Sequence, residues 1–105
     1  MPNFILAYHG KPDVETKEDG AALMTAWKAW ITDLGDAVVD PGMPVGMSKT
    51  ITVDGVKDNG GSNPLSGITI IQAASIDEAI GMAKDCPHIS GSGTIEVAEA
   101  MQMDM

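Results

Sequence analysis

The sequence predicts an α+β fold in which one antiparallel sheet carries two helices on one of its faces. Two observations support this prediction. Two segments place apolar residues at helical spacing, and short runs rich in β-branched residues lie on either side of them. Their order along the chain is strand, helix, three strands, helix and strand. The 105 residues suffice for one domain, which we place at residues 1–98, with a tail at 99–105.

The first half of the chain predicts a strand, a long helix and a second strand. The segment NFILAYH at 3–9 is apolar and is followed by Gly10, which is typical of a strand end. From about Glu18 to Leu34 the apolar residues form one stripe, and Gly35 is expected to end this helix. The segment DAVVDPGMPVG then predicts a short strand that runs into a bend rich in proline and glycine.

The second half predicts three further strands and a shorter helix. The segment SKTITVDG alternates between two faces and ends in an Asp-Gly turn signal. GITIIQAAS is the most apolar strand and is expected in the centre of the sheet. Ser75 and Glu78 predict a capping box for a helix at about 76–85, and GTIEVAE closes the domain as a strand.

This order of elements matches the split β-α-β pattern of ferredoxin-like domains, with one extra hairpin. Two helices cover only one face of such a sheet. The bare face is commonly buried against a second copy of the chain. The sequence therefore predicts a homodimer formed through the open sheet face.

Charge and composition exclude several classes of partner. Fifteen acidic residues against six basic ones give a formal charge of −9, which repels phosphate backbones and anionic membranes. Nucleic-acid binding and membrane binding are therefore not expected, and no apolar run is long enough to span a bilayer. One cysteine cannot form an internal disulfide, and the N-terminus has no basic leader. We expect a cytoplasmic protein.

A series of motifs resembles one known family. The segments LSGITIIQAASIDEAIGMAKDCP and GSGTIEVAE, with LGDAVVDPGMPVG after a helix, resemble YCII-related proteins, which include relatives named for an Asp-Gly-Pro-Phe motif. The resemblance covers the chain from about residue 3 to residue 98. It implies a dimeric α+β barrel of ferredoxin-like protomers, in a family of largely uncharacterised function.

The resemblance also implies that this chain lacks the catalytic pair proposed for some family members. Their histidine and aspartate lie on and just after the first helix. Aligned on Gly35, the aspartate falls at Asp33 and the histidine at Met24, whose thioether cannot take or give a proton. The Asp-Gly-Pro-Phe loop is missing as well, because DNGGSNPLSG keeps only Asp58. Both differences favour binding over catalysis.

His9 is the candidate catalytic residue that remains. Residues at the end of a strand often line a cleft, and a histidine there, beside Asp33 or Asp36, would serve as a general base. The alternative is an exposed histidine without a partner. We therefore predict a dimeric protein that binds a small molecule, with a weak hydrolase or lyase as the alternative and a purely structural dimer as the third hypothesis.

The first helix supplies a candidate ligand pocket. Trp27 and Trp30 share its apolar stripe and, with Met24 and His9, would line an apolar cavity between helix and sheet. The alternative is that both tryptophans belong to the core or to the dimer interface.

The segment CPHIS raises the question of a nucleophile or a metal site. A metal needs three or four ligands, and beyond Cys86 and His88 the chain offers only His9 and carboxylates. Cys86 follows a helix, where the helix dipole disfavours a thiolate, and Pro87 prevents the helix from continuing. We therefore interpret Cys86-Pro87 as a helix end, and we expect no metal and no cofactor.

Two further segments invite a ligand but offer little support for one. The SGSG loop with Ser90 and Ser92 has no phosphate-binding motif. The tail AMQMDM carries thioethers that suit Cu(I). Loose packing or disorder explains the tail better.

Overall fold

The computed structural model describes residues 1–58 and 63–101, which form a four-stranded sheet, a separate two-stranded hairpin and two helices. The strands are β1 (Asn3–His9), β2 (Val38–Pro44), β3 (Thr50–Thr52), β4 (Gly55–Lys57), β5 (Leu65–Gln72) and β6 (Thr94–Glu99). The helices are α1 (Lys17–Leu34) and α2 (Ile76–Ala83), and one 3-10 turn, Gly35–Ala37, joins α1 to β2.

The strand order in the main sheet is β2-β5-β1-β6, and all neighbouring strands are antiparallel. Each helix therefore connects two strands that are separated by a third, which is the split β-α-β arrangement. The predicted α+β fold of ferredoxin-like type is confirmed. β5 occupies a central position, as its apolar sequence predicts.

Local signals at the helix ends explain where α1 and α2 begin and stop. Thr16 caps α1, since its hydroxyl accepts from the Asp19 amide while the Asp19 carboxylate accepts from the Thr16 amide. Gly35 ends α1 with φ of +57°. Ser75 caps α2 by accepting from the Glu78 amide. The capping pair of Thr16 and Asp19 starts α1 one residue before the predicted Glu18.

The core lies between the sheet and both helices. Phe4, Leu6 and Tyr8 alternate along β1 and are buried on the face that the helices cover. Trp30 of α1 packs in the same cluster, and its indole Nε1–H donates to the Met82 carbonyl of α2 at 3.0 Å. Both helices therefore cover the same face of the sheet, as predicted.

The opposite face of the sheet, here called the open face, is not covered by any helix or strand among residues 1–58 and 63–101. Its centre is apolar, with Ile5 and Ala7 on β1 opposite Ile70 and Ile68 on β5. The Cα atoms extend only 19 Å along the shortest axis, which fits one sheet and one helical layer. Within the described residues, no helix combines the length and the hydrophobicity that a bilayer crossing needs.

Candidate functional site

His9 ends β1 on the open face, and its side chain is only 13% exposed. Its neighbours across the sheet are Thr94 on β6 and Leu65 on β5. The pairing with β5 shifts by one residue between Tyr8 and His9, so Ser66 lies in a bulge beside His9. The bulge interrupts the regular pairing of β1 with β5 next to His9.

Two backbone carbonyls set the tautomer of His9. Its Nδ1 lies 3.0 Å from the Asn63 oxygen and 3.3 Å from the Pro64 oxygen. Carbonyl oxygens only accept hydrogen bonds, so Nδ1 carries the hydrogen and donates it. The neutral ring consequently keeps its lone pair on Nε2, the atom that would accept a proton or a hydrogen bond.

Glu96 is the acid nearest to His9. Its Oε1 lies 3.3 Å from His9 Nε2, within the range of an ion pair, but it is not aligned for a hydrogen bond. Glu96 follows Thr94 by two residues on β6, and it shares the open face with His9. A protonated imidazole therefore gains a carboxylate partner, whereas a neutral one presents a buried lone pair.

The predicted partners Asp33 and Asp36 do not meet His9. They lie in the last turn of α1 and in the turn after it, just before Val38. Val38 and Phe4 both pair with Ile71 of β5, so they lie at the same level of the sheet. His9 follows Phe4 by five residues on β1, which puts it about 17 Å from that level, and its side chain is on the face opposite the helices. The carboxylate that the structure brings to His9 is Glu96.

A cavity of about 440 Å³ lies at the same end of the sheet. Its wall includes two opposite charges, Lys11 and Asp58, the apolar side chains of Met47 and Leu65, and Ser66 from the bulge. The volume falls within the range of small-molecule sites. The cavity combines apolar surface with a few polar groups, which is the composition that such sites share.

Two buried polar atoms at this end of the sheet have no hydrogen-bond partner among the described residues. They are His9 Nε2 and Ser66 Oγ. Most buried polar atoms in folded proteins are paired, so unpaired ones call for a physical reason. For His9 Nε2 the Glu96 carboxylate at 3.3 Å is such a reason when the ring is protonated. For Ser66, which lines the cavity, a bound molecule that hydrogen-bonds to the hydroxyl is one such reason.

The predicted pocket of Met24, Trp27, Trp30 and His9 is not assembled. Trp27 packs edge-to-face on Tyr8, with ring centroids 5.3 Å apart, and on Trp30 at 5.4 Å. Both tryptophans belong to the core or pack against it, while Met24 is 59% exposed. His9 lies on the other face of the sheet. The structure therefore matches the alternative interpretation, in which the tryptophans are core residues.

Cys86 and His88 are buried and are held in structural roles. The His88 Nε2–H donates to the His9 carbonyl at 2.8 Å, and the His88 ring packs on Tyr8 with centroids 5.1 Å apart. Burial raises the pKa of the Cys86 thiol to about 11. The thiol is therefore protonated at neutral pH, which does not suit a nucleophile.

The hydroxyls of the SGSG loop brace the segment that follows β1. Ser92 Oγ accepts from the Lys11 amide at 3.1 Å, and Ser90 Oγ accepts from the Asp13 amide at 2.8 Å. These two serines hold the Lys11 backbone beside the cavity.

Because the pKa of Cys86 is raised in the folded protein, the fold should lose stability at alkaline pH. Its ordinary pKa is 9.0, so above that pH the unfolded chain loses the thiol proton first, and the stability is lost as the pH rises towards 11. We expect the wild type to lose about 1.4 kcal/mol more unfolding free energy between pH 7 and pH 10 than Cys86→Ala does. Urea unfolding of both proteins at the two pH values measures this. Equal losses would show that Cys86 is not buried as described.

No group of three histidine, cysteine or acidic residues comes close enough to hold a metal ion in the part of the chain that the structure describes. Met103 and Met105, invoked for Cu(I), lie outside the described residues. No protein-family model matches the sequence, and no curated protein matches it either.

Proposed function

We propose that the protein is a homodimeric α+β barrel protein, related to the YCII-type proteins it resembles, that binds a small molecule at the His9 end of its sheet. The observation that carries this proposal is the buried hydroxyl of Ser66, which has no hydrogen-bond partner among the described residues and belongs to a residue in the wall of a cavity of about 440 Å³. Such a group costs about 1–3 kcal/mol when left unsatisfied. A ligand that hydrogen-bonds to it offsets this cost.

The cavity wall indicates the chemistry of the ligand. Lys11 and Asp58 supply one positive and one negative charge, and Ser66 supplies a hydroxyl. Met47 and Leu65 supply apolar contact. This combination suits a small molecule that has an apolar part and at least one group able to pair with a charge or a hydroxyl.

The dimer is supported by the open face of the sheet. Ile5 is 36% exposed at its centre, beside the partly buried Ile68 and Ile70. A second copy that packs on this face would remove their apolar surface from water. It would also give the two-layer protomer a third and a fourth layer, which is the arrangement that the family resemblance implies.

A catalytic role for His9 is the second candidate function. The carbonyls of Asn63 and Pro64 hold the hydrogen on Nδ1, so the lone pair of Nε2 is available for proton transfer. Glu96 replaces Asp33 and Asp36 as the acid that would stabilise the charged ring. A turnover that survives His9→Ala unchanged would exclude this role.

Ser66 gives the sharpest test of the cavity. Ser66→Ala removes a buried hydroxyl without a partner, so we expect it to raise the unfolding free energy of the ligand-free protein by about 1 kcal/mol. The same change should weaken ligand binding, since it removes a group that the ligand would pair with. Thr32→Ala on the exposed side of α1 is the matched control, because it also removes one hydroxyl.

Native mass spectrometry of the gently purified protein provides the binding measurement. We expect a dimer that carries a reproducible added mass in the wild type and in Thr32→Ala, and a smaller bound fraction in Ser66→Ala. An added mass retained equally in all three proteins would place the ligand elsewhere. A Ser66→Ala protein that is less stable than the wild type would show that the hydroxyl has a structural partner.

A further inference from the structure

The strand β6 forms an outer edge of the main sheet, and its pairing with β1 shows which of its backbone groups face outwards. The Ala100 amide donates to the Asn3 carbonyl at 2.8 Å, and the register with β1 continues from this pair without a shift. In an antiparallel ladder, pairs that exchange hydrogen bonds alternate with pairs that do not. The backbone amides and carbonyls of Glu99, Val97 and Ile95 therefore point away from β1, towards the outer edge.

These outward groups form a regular edge that is open to a further strand. No strand among residues 1–58 and 63–101 pairs with this side of β6, and its six residues run without a bulge, a proline or a lysine. The other outer strand, β2, differs, because its pairing with β5 shifts twice and it contains Pro41 and Pro44. Bulges and prolines are common means of keeping further strands away from a sheet edge. The β2 edge is therefore blocked, whereas the β6 edge can accept a strand.

A cavity of about 420 Å³ lies along this edge, between β6 and α2. Ile95 and Val97 supply one wall with side chains on the helix-facing side of β6, and Ile80, Ala83 and Ile89 supply apolar surface opposite them. Directly opposite residues of two paired strands share a face of the sheet. A residue that an added strand pairs with β6 at this level therefore directs its side chain into the cavity. An extended polypeptide matches both the backbone of the edge and the apolar wall.

The charges at the two ends of the edge give the added strand a direction. Lys84 is the only charged residue in the described wall, which does not include its neighbour Asp85, and no carboxylate of the described residues forms an ion pair with its amine. Lys84 lies near the first residue of β6, since His88 donates to the carbonyl of His9, which pairs with that residue. Glu99 lies at the other end. A strand antiparallel to β6 therefore ends near Lys84, which favours an acidic group there.

We propose that the β6 edge binds an extended peptide segment by strand addition, antiparallel to β6, with an apolar side chain in the cavity beneath α2 and an acidic group beside Lys84. In this mode of recognition, main-chain hydrogen bonds supply affinity, and pockets for alternate side chains supply specificity. The site lies at the edge of the sheet, so it is separate from the His9 cavity and from the open face. It does not depend on the proposed dimer.

An acetylated hexapeptide, Lys-Thr-Val-Thr-Val-Asp, tests the proposal in an NMR titration of the intact protein. Its alternate valines lie on one face of an extended chain, and we expect the amide signals of Ile95 and Val97 to shift until they saturate. The same peptide N-methylated at both valines keeps the side chains but loses the amides that would donate to β6. Its dissociation constant should be higher by about 10-fold or more. Equal affinity of the two peptides, or unshifted signals at millimolar peptide, would overturn strand addition.

Lys84→Glu tests the direction of the strand, with Lys28→Glu at an exposed position of α1 as the matched control. The first variant places a like charge beside the peptide's aspartate, so the dissociation constant should rise by about 3- to 10-fold. The control makes the same change of charge away from the site and should stay within about 2-fold. Equal effects of both variants would overturn the contact with Lys84. Slow hydrogen exchange of the Ile95 and Val97 amides without peptide would show that this chain or a second copy already occupies the edge, which would overturn the proposal.

Discussion

Gly42→Ala is expected to lower the free energy of unfolding by about 2–5 kcal/mol. Gly42 has φ of +73°, which costs an alanine about 1–2 kcal/mol. A Cβ at this position would also overlap the carbonyl of Ile68 on the neighbouring strand β5. Because the overlapping atoms are backbone, β2 must move away from β5, and overpacking of this kind adds about 1–3 kcal/mol.

The movement would reach the core through a chain of hydrogen bonds. The Tyr8 hydroxyl donates to Thr69 Oγ1 at 2.7 Å, and Thr69 Oγ1 donates to the Pro41 carbonyl at 3.1 Å. Pro41 precedes Gly42 in the irregular part of β2, where Asp40 Oδ1 accepts from the Gly42 amide at 2.8 Å. A displaced β2 would leave the buried Thr69 hydroxyl without its acceptor.

Two other glycines provide matched controls for this prediction. Gly35 also has a positive φ, +57°, but nothing lies within 4 Å of its added Cβ, so Gly35→Ala should cost only about 1–2 kcal/mol. Gly46 has ordinary φ and open space, so Gly46→Ala should be neutral or slightly stabilising. Urea unfolding of the three variants gives the comparison. Equal costs at Gly42 and Gly35 would contradict the close approach of β2 to β5.

The fold could be predicted because its signals are local. The apolar stripe of α1, Gly35 at its end and the Ser75 cap of α2 each act within one or two helical turns. The order of the elements then restricts the topology, since short connections leave few ways to arrange four antiparallel strands and two helices. The start of α1 differs by one residue because Thr16 and Asp19 together cap it.

The site could be predicted only in part. His9 could be predicted from its place at the end of a strand. Its acid partner, Glu96, lies 87 residues later in the sequence. The prediction considered only Asp33 and Asp36, which are closer in sequence, and therefore missed it. The predicted topology does contain the signal. If the last strand pairs with the first, the alternation of TIEVAE puts Glu96 on the face opposite Ile95 and Val97. The unpaired Ser66 hydroxyl depends on a bulge, which sequence alternation does not reveal.

The hairpin shows a different limit of sequence patterns. SKTITVDG alternates as a half-buried strand does, and its Asp-Gly turn is correctly located between β3 and β4. Alternation says that one side of a strand will be buried, but not by which chain. The structure leaves Ile51 and Val56, which pair across this hairpin, exposed to solvent.

Ile5→Asp is expected to dissociate the proposed dimer, with a rise of about 100-fold or more in the dissociation constant. Ile5 lies at the centre of the open face, between Ile70 and Ala98, and is 36% exposed in the protomer. In a sheet-to-sheet dimer its side chain would lose this remaining exposure. An aspartate there would carry an unpaired charge into the interface, at a cost of about 3–5 kcal/mol.

Ile76→Asp is the control, because Ile76 is 45% exposed at the start of α2, in the helical layer away from the open face. It adds the same charge at a helix N-terminus, where an acid is tolerated, so it should leave the dissociation constant unchanged. Analytical ultracentrifugation of the wild type and of both variants gives the comparison. Dissociation by Ile5→Asp but not by Ile76→Asp would support a dimer held through the open faces. An Ile5→Asp dimer as tight as the wild type would show that the open faces stay apart, which would remove the barrel from the proposal.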